Sequence, residues 1–214
     1  MARGRERGDA KPLVRLVDVA GREVWYVADS VPACFLLVDE RAGGILVNSP
    51  AFTPSLADAI ERVATARFIF YPSRYGATDV ARWRTATGAR TIASAAEAAD
   101  IRGPVDEAID GAVRIYGRLD FLALSGRTRG TCALRSRAEP AIVFFGPALE
   151  HAPWPALVLH EDDFSAENRL IGALGLRGER FEFAFCDNYI EQVSKFGPRA
   201  SMAVAAGLAD VLDA

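Results

Sequence analysis

Histidine is scarce: the 214 residues hold two, His151 and His160. Chemistry that needs several imidazoles around one centre therefore has too few to draw on. Lysine is scarce too, with Lys11 and Lys195 the only lysines among 25 basic residues. An arginine-rich and alanine-rich style of this kind fits coding preference and points to no ligand. No CxxC pair occurs. Cys34, Cys132 and Cys186 are far apart, odd in number and set among apolar neighbours, which speaks against a disulfide framework and for buried thiols in a reducing compartment. No apolar run approaches the ~20 residues that span a bilayer. The first residues, MARGRERGDAKP, are charged and lead into no apolar stretch that would act as a secretion signal, so a cytoplasmic location is expected. Charge of one sign is lacking as well. A net charge of −3 is too small to imply a nucleic-acid or acidic-membrane partner.

What is present is ordinary globular material: half of the residues are hydrophobic and a quarter charged. The length suits one full-sized domain, expected over 12–214 behind a polar tail at 1–11. Short apolar runs at 13–19, 23–28, 34–39 and 45–48 read as strands separated by glycine and proline turns. Pro54 opens a helix in which Leu56, Ile60 and Val63 keep helical spacing. RFIFY at 67–71 suits a buried strand. Thr78 or Asp79 is placed to cap a helix that carries Val80 and Trp83 and stops at Gly88, and RTIAS (90–94) is a further strand. The second half repeats the pattern, with strands at 112–117, 120–124, 130–136 and 141–145 and a short run at 157–160. A helix from about 163 to 174, a strand at 181–185 and a helix near 199–212 follow. Two facing sheets with helices outside would bury all these faces.

Four stretches in this order resemble the metallo-β-lactamase superfamily. ACFLLVDERAGGILVNSP (33–50) resembles its opening hairpin, and RFIFYPSRYGATDVARW (67–83) its strand, HxHxDH loop and helix. LALSGRTRGTCAL (122–134) is similar to the turn that carries a GHT histidine, and IVFFGPAL (142–149) to the segment with a bridging aspartate. The resemblance implies a four-layer αββα sandwich of two mixed sheets, an α/β (α+β) fold.

It also implies a dinuclear metal site, and here the chain departs from the pattern. Such a site needs imidazoles and carboxylates converging at ~2.0–2.2 Å on the ions, whose bound hydroxide attacks the substrate. The HxHxDH ligand positions fall on Ser73, Tyr75, Ala77 and Thr78, or on Asp79 for the last if the loop gains one residue. The GHT histidine falls on Arg127 and the bridging aspartate on Pro147. The last histidine falls near Asp187 or Asn188. About five imidazoles are required and two exist, at unmatched positions, so no metal or other cofactor is expected.

Each single residue has a plain reading beside a functional one. Arg127 would offer its planar fork to a carboxylate or phosphate, or form a structural salt bridge with Asp79 or Asp187; the second is the simpler. Ser73 lacks a placed base and a GxSxG elbow, which makes it a turn residue rather than a nucleophile. Tyr75 is a site phenol or, more simply, a plug for the space left by missing ligands. His151 would serve as an acid or base over the cleft, or as an ordinary surface or capping histidine in a proline-rich connection. Glu161, Asp162 and Asp163 fit the acids expected at a helix start. Two functions remain open. One is a non-metal binding, regulatory or assembly module, with a small-molecule or protein partner or a second copy of the chain. The other is a hydrolase of an ester- or thioester-type bond working on a non-standard or metal-free site.

Overall fold

The computed structural model describes residues 12–212 apart from 112, 116 and 162; the expected tail at 1–11 and Asp162 of the acidic trio lie outside them. Strands β1 (Leu13–Val19), β2 (Arg22–Val27), β3 (Cys34–Asp39) and β4 (Gly43–Val47) form an antiparallel meander. Helix α1 (Pro54–Val63) returns the chain to β5 (Ala66–Tyr71), parallel to β4. Helix α2 (Val80–Thr87), β6 (Arg90–Ser94), the short α3 (Ala95–Ala98) and β7 (Glu107–Ile109) continue the parallel half. The 7-stranded sheet thus runs from β1 to β7 in chain order.

Strands β8 (Val113–Ile115), β9 (Leu119–Ala123), β10 (Cys132–Ser136) and β11 (Ile142–Gly146) make a second antiparallel meander. The ribbon β12 (Glu150–His151) and β13 (Pro155–Ala156) and helix α4 (Ala166–Leu174) precede β14 (Phe183–Cys186), which pairs in parallel with β11 and makes the second sheet five-stranded. Helix α5 (Ala200–Leu212) follows.

The layers come from alternation within strands that are buried on both faces, which is why they read as continuous apolar runs. In β3, Phe35 and Leu37 point between the sheets, where they meet Phe70, Phe121, Phe144 and Phe185. Cys34 and Leu36 point the other way, to Ile60 of α1 and Trp83 of α2. Outside the second sheet, Val143, Phe145 and Ala184 pack against Ala173 of α4 and Val204 and Leu208 of α5. The result is the expected αββα sandwich.

Several boundaries differ for local reasons. Thr53 caps α1 by accepting from the Leu56 N–H at 3.2 Å, ahead of Pro54. The expected side-chain cap of α2 does not form: Asp79 stands at the N-cap position in a left-handed conformation (φ 50°), and its carboxylate accepts from the Phe52 N–H at 2.9 Å instead. Helix α4 begins at Ala166 with Ser165 as its cap. Asp163 is therefore no helix-start acid; it belongs to a buried ion-pair network. The run at 157–160 is not a strand, and the stretch from 181 extends only from Phe183, ahead of which the Glu182 and Phe183 N–H groups both donate to the Ala141 carbonyl. Helix α3 and strand β7, too short to show a period, are additions to the sequence reading.

Candidate functional site

The C-terminal ends of β4, β5, β11 and β14 converge on one edge of the sandwich, together with the turn between β9 and β10. A cleft of about 250 Å³ opens there, and its wall includes Tyr75, Arg127, Pro147, Glu150, Asp187 and Asn188. Positions far apart in the chain therefore meet as the resemblance implied. Four candidate residues, Tyr75, Arg127, Asp187 and Asn188, share this cleft; Ser73, Thr78, Asp79 and His151 do not line it.

Ser73 is wholly buried, and its hydroxyl has no hydrogen-bond partner among the described residues. Thr78 is exposed, and its carbonyl accepts from the Ser49 hydroxyl at 2.6 Å. Tyr75 is half exposed at the rim, with the Arg74 guanidinium 5.9 Å from its ring centroid, so it is not the plug expected of it. His151 is neither a surface nor a capping residue. Strand β12 tucks it beside β14, where its Nε2 accepts from the Cys186 N–H at 3.2 Å and its ring meets Tyr189 edge-on. Burial pushes its pKa down to about 4, against a weak opposing effect of the Lys195 backbone. Asn188 holds it in place, accepting from the His151 N–H at 2.9 Å and donating to the His151 carbonyl at 3.3 Å.

Arg127 forms its salt bridge with Asp163, at 2.9 Å, rather than with Asp79 or Asp187. Arg169 of α4 binds the other oxygen of the same carboxylate at 2.8 Å, and the His160 N–H adds a bond at 2.9 Å. Arg169 also donates to the carbonyls of Ala148 at 3.1 Å and Pro147 at 3.4 Å. The loop where the bridging aspartate would stand is thereby tied down through its backbone. Burial works to raise the Asp163 carboxyl, but the His160 N–H and the two guanidiniums outweigh it and hold the group below its usual range. Two arginines share one carboxylate, each on its own oxygen.

Asp187 is a different kind of acid. Its Oδ1 accepts from the Asn48 amide at 2.8 Å, while its Oδ2 is enclosed and has no hydrogen-bond partner among the described residues. Burial pushes its pKa up to about 7, with the Asn48 bond opposing. Asn48 spends its second amide hydrogen on the Ala33 carbonyl at 2.8 Å, and its own Oδ1 is also enclosed without a partner among the described residues. Gly76 closes over this amide; a β-carbon there would collide with the Asn48 side chain.

Sequence reasoning missed Asn48 and Glu97. Glu97 is fully buried and accepts from the Arg74 N–H at 2.7 Å and the Gly130 N–H at 3.1 Å. It thus joins the loop after β5 to the turn before β10. A signal existed, since Ser94-x-x-Glu97 is a capping-box pattern and Ser94 does accept from the Glu97 N–H at 3.2 Å. Asn48 at φ 63° carried no comparable mark.

The residues at this edge do not fit a metal. They offer a paired guanidinium, a proline side chain and an enclosed carboxyl where imidazoles and carboxylates would have to converge. Among the described residues, no three or more His, Cys, Asp or Glu side chains gather to hold an ion. No helix among them is long and apolar enough to cross a membrane.

No protein-family model matches the chain, and no curated protein matches it in sequence. Solved structures do. A motif mutant of a metallo-beta-lactamase from Cronobacter sakazakii superposes with a TM-score of 0.67 at 15% identity, covering 94% of this chain and 96% of that one. The metallo-beta-lactamase SMB-1 in complex with mercaptoacetic acid gives 0.67 at 14% identity, covering 95% and 96%. A B3 metallo-beta-lactamase with an active-site glutamic acid gives 0.60 at 17% identity, covering 94% and 91%. Likeness at this identity concerns architecture, and with the sheet topology above it leads to one statement: the chain has the metallo-β-lactamase fold.

Proposed function

We propose that the chain is a non-metal, catalytically inactive user of this fold, a binding or regulatory module that takes a small molecule or a protein partner at the rebuilt cleft. The observation that carries the reading is the Arg127–Asp163–Arg169 network with Pro147 beside it. A fixed guanidinium opposes a divalent cation, and ligand positions held by such a network are not vacant for one. Fold alone names no task, so the support lies in these side chains. A cytoplasmic location, and self-association as one form of the assembly role, belong to the same proposal.

Elemental analysis of the purified chain tests it. Zinc, iron and manganese should stay far below one ion per chain after a chelator wash. Adding zinc back should leave the unfolding temperature unchanged, because an ion that binds only the folded state would raise it. Stoichiometric metal that survives the wash, with hydrolytic activity lost on its removal, would end the proposal.

A second reading, a metal-free hydrolase of an ester or thioester, draws support from Asp187, which belongs to the cleft wall and whose carboxyl burial pushes up to about 7, a range that suits a general base. Turnover of an ester or thioester that Asp187→Asn abolishes would favour it. A flat response of the purified chain to a panel of both ester types would remove it.

A further inference from the structure

A second cavity, of about 490 Å³, opens at the opposite ends of the strands and is larger than the cleft. Arg41 from the turn after β3, Arg67 at the start of β5, Arg90 opening β6 and Arg118 ahead of β9 contribute to its wall, and among the described residues no aspartate or glutamate does. In a chain whose net charge is −3, four guanidiniums around one hollow make a local field opposite in sign to that of the whole.

Two of the four are oriented by acids outside the wall. Arg90 pairs with Glu107 at 2.8 Å, and Arg118 stands 3.9 Å from the buried Asp39. Asp39 is otherwise engaged in accepting from the Arg41 and Ala42 N–H groups, each at 2.9 Å. The guanidiniums of Arg41 and Arg67 have no ion-pair or hydrogen-bond partner among the described residues. Arg67 is nonetheless placed, because its aliphatic stem crosses Gly43, where the backbone is left-handed (φ +84°) and a β-carbon would strike the Arg67 side chain. Like charges gathered with two forks unfilled are stabilised by a multiply charged anion. The planar guanidinium matches phosphate oxygens two at a time, and the cavity falls within the range of about 300–1,000 Å³ usual for small-molecule sites. Ala42, Ala66 and Phe68 add apolar wall for the remainder of such a ligand.

We propose that this groove binds a small molecule carrying two adjacent phosphate groups. The ligand's charge would be met by Arg41 and Arg67, with Arg90 and Arg118 at its flanks. The site is separate from the cleft and does not depend on the function proposed there.

Calorimetric titration of the whole chain with ADP, inorganic pyrophosphate, citrate and a short single-stranded RNA tests this. The expected result is saturable binding of ADP and pyrophosphate, one per chain, that weakens as salt is added. The R41A/R67A variant should lose at least tenfold in affinity. Neither guanidinium has a partner among the described residues, so the variant's circular dichroism and unfolding temperature should stay close to those of the parent. Three results would overturn the proposal: no saturation by ADP or pyrophosphate at millimolar concentration, unchanged affinity in the folded variant, or citrate binding as tightly as pyrophosphate. RNA binding that tightens with length and outcompetes ADP would replace the groove ligand by nucleic acid and overturn it as well.

Discussion

Burial moves Asp187 and His151 in opposite directions along the pH scale, the first from 3.8 up to about 7 and the second from 6.5 down to about 4. Between those values the folded chain keeps a proton on Asp187 that the unfolded chain has released, so stability falls as pH rises through that window. Over nearly the same window the unfolded chain takes up a proton on His151 that the folded chain refuses, so stability falls as pH drops. The two slopes oppose each other, and the parent protein should show a nearly flat stability between about pH 4.5 and 6.5. Asp187→Asn removes one of them. Urea unfolding should find the variant more stable than the parent by about 1–3 kcal/mol at about pH 8, and losing stability as pH falls toward 5. A variant no more stable at the higher pH would mean that Asp187 is ionised in the native state without penalty.

Elements at the cleft edge are held by two buried acids, and each was legible to a different degree. Glu97 stood in a capping-box pattern, yet its carboxylate reaches past its own helix to the N–H groups of Arg74 and Gly130. Glu97→Ala should cost about 2–4 kcal/mol, because the buried Gly130 N–H and the part-buried Arg74 N–H lose their acceptor, and hydrogen exchange should quicken at those two amides before it does in the sheets. Asp163 was read as an acid of a helix start because its real partners lie elsewhere in the chain, on the β9–β10 turn and on α4. No local pattern encodes a contact that only the packed sandwich creates. Asp163→Asn leaves Arg169 buried without a counter-charge and should destabilise by about 3–5 kcal/mol, whereas Arg127→Ala leaves the Asp163–Arg169 pair standing and should cost about 1 kcal/mol. Equal losses in thermal unfolding would show that the network does not centre on Asp163.

At the scale of the whole molecule, the architecture was readable because central strands buried on both faces leave apolar runs, and β3 falls where its run places it, while the edge strand β1 shows through its alternation. Convergence of residues 75, 127, 147 and 187 on one cleft was readable too, through motif order rather than through the chemistry of the residues themselves. What fills the cleft was not, since the orientation of Tyr75, the burial of His151 and the partner of Arg127 depend on how loops settle against one another. The order of the first sheet has a consequence for how the chain is made. Each of its strands pairs with the next in sequence, so nothing beyond Ile109 is needed to complete its ladder, while the second sheet waits for β14 to arrive beside β11. Local pairings form sooner than distant ones. Pulse-labelled refolding should therefore protect the amides of β3 to β5 before those of β14; simultaneous protection would contradict this. During the interval, Phe35, Val47 and Phe70 face water until Phe144 and Phe185 cover them. A ribosome stalled in the last third of the message would then be holding a half-built protein with its stickiest surface bare, the moment at which aggregation competes best with folding.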